Sequence, residues 1–419
     1  MNSYVVDSPW VLCAALLLVM TAAGAVVWRL LRSRRGWWRV PVTVVVAVAV
    51  AAVALQVWAR LMLDHSAVAR AVVWMDADVD DWRRFPASPI PAGGEVLELE
   101  EGSLPEGTLD EVTRSDGKTE DLSELLERTE STSFLVLRGE EVLVEEYPLG
   151  GEREDVATSF SMAKSILSTA LGIAIERGEV GSLDEPVTQY VPELADEDER
   201  FNKISLRNLV TMSSGLRYEE HGLPWSDDAV TYYSPNLRET ALSAEVVEDP
   251  GKEWLYNNYN PLLVGLALER ATGALAPYVA EHLWQPMGAE HDASWSLDSE
   301  EHGFAKMESG YNARPIDYAR FGYLFAHEGQ VDGRQVVPSA WVAEATANDV
   351  STDPAAHYQY FWWVDTDRPG RFYARGNKGQ FIYVDPTFDV VVVRTGRNFG
   401  IEDWPEVLSD ITDRVLEAS

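Results

Sequence analysis

The stretch Ser159-Phe-Ser-Met-Ala-Lys-Ser-Ile-Leu-Ser-Thr-Ala-Leu-Gly-Ile-Ala-Ile175 places a serine–lysine pair at the start of an apolar helix. Ser161 and Lys164 are three residues apart, so a helix brings both side chains to one face. A serine hydroxyl is a weak nucleophile until a base takes its proton, and a neighbouring amine can be that base. The alternative is a serine that caps the helix and a lysine that is exposed. The spacing by itself does not decide between the two.

A second Ser-x-x-Lys spacing occurs at Ser115-Asp-Gly-Lys118. This copy contains Gly117, and its polar surroundings show no helical periodicity of apolar residues. Because aspartate and glycine favour turns, the sequence predicts a turn here. Ser161 is therefore the candidate nucleophile.

Two later segments support a reaction centre at Ser161. The first, Pro250-Gly-Lys-Glu-Trp-Leu-Tyr-Asn-Asn258, contains the single Tyr-x-Asn of the chain, at Tyr256 and Asn258. The second, Ala374-Arg-Gly-Asn-Lys-Gly-Gln-Phe-Ile-Tyr-Val-Asp-Pro386, is a glycine-rich entry to a strand. A tyrosine can transfer protons, and backbone N–H groups beside glycines can bind an oxyanion.

The order of these three motifs resembles that of the serine β-lactamase-like hydrolases. The match is best to class C β-lactamases, their esterase relatives, D-alanyl-D-alanine peptidases and aminohexanoate-oligomer hydrolases. The segments 206–216 and 313–322 also look like this family. The resemblance covers about residues 125–419 and implies an acyl-transfer site.

The resemblance assigns roles to the first two motifs. Ser161 would be the nucleophile, Lys164 its close partner and Tyr256 a second proton-transfer group. Asn258 would orient Lys164 or a substrate carbonyl. Taken alone, Tyr256 could equally be an aromatic that caps a helix, and Asn258 an N-cap.

The third motif would supply an oxyanion donor, the backbone N–H of Asn377, alongside that of Ser161. Gly376 would allow a substrate to approach the strand edge. Class C β-lactamases carry Lys-Thr-Gly here, whereas this chain has Gly-Asn-Lys-Gly, which offsets Lys378 and weakens the case for β-lactam hydrolysis. The run looks more like the aminohexanoate hydrolases and esterases. That likeness would place three further residues, otherwise read as surface loop, in the substrate pocket: Tyr218, Asp227 and Asp228.

The predicted fold is α+β, of the serine β-lactamase and penicillin-binding-protein type. An N-terminal hairpin, Ser133–Arg138 with Glu141–Tyr147, must join strands from the far end of the chain in one antiparallel sheet. Helices would flank the sheet, and a helical lobe would span about 160–345. The C-terminal strands are predicted at Gln359–Val364, Gly379–Val384 and Val390–Thr395.

The N-terminus contains two charge-free segments, Pro9–Trp28 and Val40–Ala59, each about long enough to span a bilayer. The five arginines between them predict a cytoplasmic loop and a catalytic domain outside the cell. Asp7 and the lack of basic residues before it argue against a cleaved signal peptide. We therefore expect two transmembrane helices, at about 9–31 and 38–60 within 1–63. An acidic connector, 64–124, and the hydrolase domain, 125–419, would follow.

The net charge is −34, with only six lysines, so nucleic acid is excluded as an expected partner. The histidines show no zinc-binding spacing, and neither a metal nor an organic cofactor is expected. The sequence thus predicts a membrane-anchored serine hydrolase that cleaves a small ester, amide or peptide. Two alternatives stay open: a D-alanyl-D-alanine carboxypeptidase or weak β-lactamase, and a catalytically idle binding or sensor domain. The oligomeric state is not predicted.

Overall fold

The computed structural model describes residues 9–32, 36–347 and 354–418. The α-helices are α1 (Pro9–Leu30), α2 (Arg39–Leu61), α3 (Ala67–Trp74), α4 (Leu122–Arg128), α5 (Met162–Glu176), α6 (Glu193–Glu197), α7 (Leu206–Val210), α8 (Asp227–Tyr233), α9 (Leu237–Leu242), α10 (Tyr259–Thr272), α11 (Leu275–Val279), α12 (Pro315–Ala326), α13 (Ser339–Ala345) and α14 (Trp404–Glu417). The strands are β1 (Ala87–Ile90), β2 (Glu100–Glu101), β3 (Glu111–Thr113), β4 (Thr119–Asp121), β5 (Ser131–Arg138), β6 (Glu141–Glu146), β7 (Ala157–Thr158), β8 (Ala293–Ser296), β9 (Tyr311–Ala313), β10 (Gln330–Val331), β11 (Arg334–Gln335), β12 (Tyr358–Gln359), β13 (Trp362–Val364), β14 (Phe372–Gly376), β15 (Gln380–Asp385) and β16 (Val390–Gly396).

The chain divides into two compact units. The first unit contains the described residues up to Ala77 together with Tyr218–Thr240, and the second contains Asp78–Arg217 and the described residues from Ala241 onward. The three sequence motifs all fall in the second unit.

Helices α1 and α2 of the first unit are long and apolar enough to cross a bilayer. They coincide with the two segments predicted as spans, while Arg34 and Arg35 of the predicted loop lie outside the described residues. Gly24 lies against Thr43 and Ala47, as small residues do where apolar helices approach closely. A third candidate membrane span exists only if α10, α11 and the following π-helical turn are taken together as one bent segment. Because α10 is largely buried within the second unit, we interpret it as a core helix.

The first unit also contains a small packed region around α3. The buried guanidinium of Arg70 donates to the carbonyl oxygens of Leu63, at 2.8 Å, and Tyr233, at 3.3 Å. The Tyr233 hydroxyl donates to the Met75 carbonyl at 3.0 Å. These bonds tie α8 to the chain that follows α2.

An eight-stranded sheet forms the centre of the second unit, with strand order β12-β13-β14-β15-β16-β5-β6-β2. The C-terminal strand β16 pairs with β5, and Val392 lies opposite Val136. This pairing confirms the prediction that strands from both ends of the domain share one sheet. All neighbours are antiparallel except β2 and β6. A second, four-stranded sheet has the order β1-β8-β9-β7.

Helices cover both faces of the main sheet. Successive side chains of β16 point to opposite faces, so neighbouring valines contact different helices. Val392 packs toward Trp404 and Leu408 of α14. On the other face, Val391 lies so close to Gly322 of α12 that a Cβ at Gly322 would be 2.5 Å from it. The predicted α+β class, with helices flanking an antiparallel sheet, is confirmed.

The segment predicted as one strand, Gln359–Val364, is instead a tight hairpin. Strands β12 and β13 pair within it, with Tyr358 opposite Trp363. The turn residues Tyr360 and Phe361 have positive φ angles of 37° and 66°. Such turns usually contain glycine or asparagine, and the sequence offers neither here, which explains the wrong prediction.

Candidate active site

The predicted nucleophile and its partner are in contact at the start of α5. Lys164 Nζ donates a hydrogen bond of 2.8 Å to Ser161 Oγ. Ser161 occupies the N-cap position, but its side chain caps no backbone N–H. Lys164 is only 1% exposed. The alternative of a capping serine and an exposed lysine is therefore wrong, and the hydroxyl is available for chemistry.

A turn from the loop before β9 holds the lysine from its other side. The main-chain carbonyl of Glu308 accepts a second hydrogen bond of 2.8 Å from Lys164 Nζ. The Glu308 side chain is buried, where it forms an ion pair with Lys306 at 3.1 Å and accepts a hydrogen bond of 2.6 Å from Ser309 Oγ. The other carboxylate oxygen, Oε2, is buried without a hydrogen-bond partner among the described residues. Lys164 is thus fixed between the serine and a polar turn that is sealed from solvent.

The backbone just before Ser161 bends sharply and touches the main sheet. Phe160 has a φ of 45°, a left-handed conformation that is rare for residues with a Cβ. Gly376, the last residue of β14, lies so close that an added Cβ would be 2.1 Å from the Ser159 carbonyl oxygen. Only glycine fits at this contact, which brings the third motif next to the serine.

Tyr256 lies beside the lysine within a group of aromatic side chains. Lys164 Nζ is 5.0 Å from the centroid of the Tyr256 ring. That ring stacks on Trp363 at 5.9 Å and meets Tyr358 edge-on at 5.9 Å. The structure therefore brings the Tyr256 ring to Lys164, and packing against Trp363 and Tyr358 holds that ring in place.

Asn258 directly precedes α10, but its side chain does not cap the helix. The neighbouring Asn257 is buried and accepts the Tyr259 N–H at 2.8 Å. Asn258 thus occupies the N-cap position without a capping side-chain hydrogen bond, and its role toward Lys164 or a substrate stays a prediction.

Asn377, Lys378 and Gly379 form the turn between β14 and β15. Lys378 and Gly379 both have positive φ angles, of 60° and 80°. The Asn377 side chain accepts the N–H of Lys378 at 2.8 Å. Since Gly376 touches the backbone that leads into Ser161, the N–H groups of Asn377 and Ser161 come from adjoining segments. Such a pair of donors could bind the oxyanion of an acyl-transfer intermediate.

The three residues predicted for the substrate pocket belong to the first unit. Tyr218 is buried. Asp227 accepts the Glu219 N–H at 2.7 Å, and Asp228 accepts a hydrogen bond from the hydroxyl of Ser226, both at the start of α8. Carboxylates are favourable at a helix N-terminus for local reasons, so their role toward a substrate stays a prediction.

Sequence reasoning missed the Lys306–Glu308 turn and the aromatic surroundings of Tyr256. The turn contributes a main-chain carbonyl, which any residue type could supply. The aromatic partners come from the hairpin that the sequence pattern did not reveal.

The family model described as Beta-lactamase matches residues 120–403. The 6-aminohexanoate-dimer hydrolase of Paenarthrobacter ureafaciens is 29% identical over 308 residues, which cover 68% of this chain and 76% of that protein. A monacolin J acid methylbutanoyltransferase of Aspergillus terreus is 31% identical over 166 residues, covering 32% of this chain and 37% of the transferase.

A solved structure from Bacillus anthracis, described as that of a 6-aminohexanoate-dimer hydrolase, shares the fold. It superposes with a TM-score of 0.70 at 22% identity, over 81% of this chain and 92% of that one. The family match covers more than half of the sequence and contains all three motifs. The chain is therefore a serine hydrolase of the beta-lactamase family.

Proposed function

We propose that the protein cleaves a small ester or amide through an acyl-enzyme on Ser161. The observation that carries the proposal is the buried Lys164 Nζ, 2.8 Å from Ser161 Oγ and fixed by the Glu308 carbonyl. The likeness to a 6-aminohexanoate-dimer hydrolase supports an amide as one substrate class.

The reaction would proceed in two acyl transfers. Ser161 Oγ attacks the substrate carbonyl carbon, and its proton passes to the Lys164–Tyr256 pair. The oxyanion is stabilised by the N–H groups of Ser161 and Asn377. The pair then gives the proton to the departing alcohol or amine. Water attacks the acyl-enzyme in the second transfer and releases the acid and free Ser161.

The test uses the full chain purified in detergent. Short-chain p-nitrophenyl esters, linear amide dimers and a chromogenic cephalosporin are assayed, and a fluorophosphonate probe is applied to the serine. Ser161→Ala should abolish both turnover and labelling, whereas Ser115→Ala, the matched control at the second Ser-x-x-Lys, should leave both unchanged. Labelling that survives Ser161→Ala would refute the site. A parent protein that is neither labelled nor active would favour the idle binding domain.

The second part of the proposal is a membrane anchor that places the hydrolase domain outside the cell. Helices α1 and α2 carry large apolar side chains that are mostly exposed, such as Trp10 at 84% and Leu61 at 75%. A bilayer would cover such surfaces. The five arginines from Arg29 to Arg39 favour a cytoplasmic loop. A reporter that is active only outside the cytoplasm, fused after Ser419, should be active, and activity of a cytoplasm-only reporter there would overturn the orientation.

A further inference from the structure

The side chain of Arg394 on β16 is fully buried. Within the described part of the chain it forms no salt bridge. Burial lowers the pKa of the guanidinium to about 9, which still leaves it charged at neutral pH. Its face lies 4.1 Å from the Trp404 ring centroid. The guanidinium donates to five neutral acceptors: Ser131 Oγ (2.9 Å) and the carbonyl oxygens of Thr129 (2.8 Å), Asn398 (3.0 Å), Lys378 (3.3 Å) and Gly379 (2.5 Å).

Two glycines make room for this guanidinium. A Cβ at Gly379 would be 2.1 Å from Arg394 Nη1, and one at Gly396 would be 2.7 Å from Nη2. The five N–H groups of an arginine form a rigid planar fork that a lysine cannot reproduce. The surroundings are thus shaped for arginine specifically.

Two of the five acceptors belong to the β14–β15 turn. The left-handed φ angles of Lys378 and Gly379 direct both carbonyls to Arg394. Gly376 fixes the near side of the same turn by its contact with Ser159. The turn that contains Asn377 is therefore held between Arg394 and the backbone that leads into the serine.

We propose that Arg394 is a positioning residue that keeps the Asn377 N–H directed at the oxyanion formed on Ser161. The inference rests on the proposed function and adds to it the group that organises the oxyanion site. Because the Asn377 N–H would act mainly in the transition state, disturbing Arg394 should lower kcat more than it raises KM.

The chain offers a matched control in Arg371, at the open end of the same β14–β15 hairpin. Arg371 is also buried, but its partners are the carboxylates of Asp385 and Asp413 and the Ser409 hydroxyl. Residues Phe372 and Val384 pair next to it, whereas Gly376 and Gln380 pair next to the turn. Loss of Arg371 should disturb the hairpin at the end that is remote from Ser161.

The experiment measures kcat, KM and thermal stability of the full-length Arg394→Lys and Arg371→Lys proteins, with the best p-nitrophenyl ester of the parent. Arg394→Lys should lower kcat by about 10²-fold, the size of a misplaced or lost oxyanion donor, with KM changed less than about threefold. Arg371→Lys should lower the melting temperature but leave kcat, measured below that temperature, within about threefold of the parent.

Three outcomes would overturn the inference: an Arg394→Lys protein with parental kcat, a loss that appears in KM alone, or an equal kcat loss in Arg371→Lys. If Arg394→Lys fails to fold, Ser131→Ala is the second variant: it removes the acceptor of Arg394 Nε, together with the hydroxyl contact to Thr129, and kcat should then fall about tenfold with KM retained. A parental kcat in that variant would also overturn it. An inactive, unlabelled parent protein would instead refute the proposed function, so the two failures are distinguishable.

Discussion

Lys306 Nζ lies 3.1 Å from Glu308 Oε1, and both side chains are at most 2% exposed. Two charges buried to this degree are expensive to desolvate, so each depends on the other. The pair sits in the turn whose main-chain carbonyl holds Lys164. Stability and activity should therefore both respond to a change in Lys306.

Lys306→Met should lower the free energy of unfolding by about 3–5 kcal/mol, since it leaves an uncompensated buried carboxylate. Replacing both residues, with Lys306→Met and Glu308→Gln, should recover a large part of that loss. Chemical denaturation measures the change in stability, and kcat measures the change in activity. Lys203→Met, at an exposed pair with Asp249, is the control and should change neither quantity measurably. A Lys306→Met protein as stable as the parent would contradict the argument.

Lys164→Ala and Tyr256→Phe should each lower kcat by more than about 10²-fold, the usual scale of a lost proton-transfer group. Both residues act on the same proton of Ser161, so the double variant should lose little more than the worse single variant. Steady-state kinetics of the three proteins checks this. Additive losses, or a mild effect of Tyr256→Phe, would mean that the phenol and the amine work independently.

Gly376→Ala should impair the site through a steric clash, because the new Cβ would be 2.1 Å from the Ser159 carbonyl oxygen. Neither backbone segment can yield without moving Ser161 or the β14–β15 turn. Displacement by about 1 Å can cost roughly 10²-fold in rate, and we expect a loss of that size in kcat and in the rate of fluorophosphonate labelling. Gly94→Ala, which has open space around the added Cβ, should retain the parental rates.

The parts of the fold that depend on local pattern could be predicted from the sequence. The Ser161–Lys164 contact follows from three-residue spacing on a helix, and the sheet follows from a hairpin signature at one end of the domain and apolar strand segments at the other. The turn at Ser115–Lys118 was also predicted, and the structure places it between β3 and β4.

Features that depend on contacts between distant segments could not be predicted. Arg394 lies on a strand with the appearance of an apolar core strand, and four of its five acceptors are carbonyl oxygens, which have no sequence signature. The turn at Tyr360–Phe361 lacks the residues that usually adopt its conformation. Tertiary packing overrides local preference in both cases.

Asp403 should make the stability of the domain depend on acid pH. Hydrogen bonds from Arg114 hold the pKa of the Asp403 carboxyl well below its usual range, and the Ser115 N–H and hydroxyl add to this. A carboxyl whose pKa is lower in the folded than in the unfolded state stabilises the fold at pH values above the unfolded-state pKa of about 3.9. This contribution is lost as the pH falls through the folded-state pKa.

Asp403→Asn should therefore reduce the free energy of unfolding at pH 7 by about 1–3 kcal/mol, the range for hydrogen bonds to a charged group. The difference from the parent should shrink progressively below about pH 4. Denaturation curves at several pH values measure it. Asp116→Asn, in the exposed pair with Lys118, should show no comparable difference. A gap that stays constant down to pH 2 would show that Asp403 acts by packing and not by charge.

The predicted substrate preference depends on where the turn between β14 and β15 holds Lys378. The residue is half-buried at the tip of the β14–β15 turn, with a φ of 60°, and the Lys-Thr-Gly frame that holds a substrate carboxylate in class C β-lactamases is absent. Without a placed cation, such a carboxylate gains little in the transition state. We therefore expect kcat/KM to be higher for short-chain esters or amides than for a cephalosporin.

The Lys378→Ala variant separates this expectation from the peptidase or β-lactamase alternative. Neutral esters have no carboxylate for the lysine to bind, so kcat/KM of the variant for them should stay within about threefold of the parent. The control is Lys252→Ala, at an exposed lysine paired with Asp249, which should give the same result. A cation that does hold a carboxylate would contribute about 1.5–3 kcal/mol, or roughly 10- to 10²-fold in kcat/KM. If Lys378→Ala loses that factor on carboxylate-bearing substrates alone, and the parent prefers cephalosporins to esters, the turn does present Lys378 to the substrate. The ester or amide preference would then have to give way to the alternative.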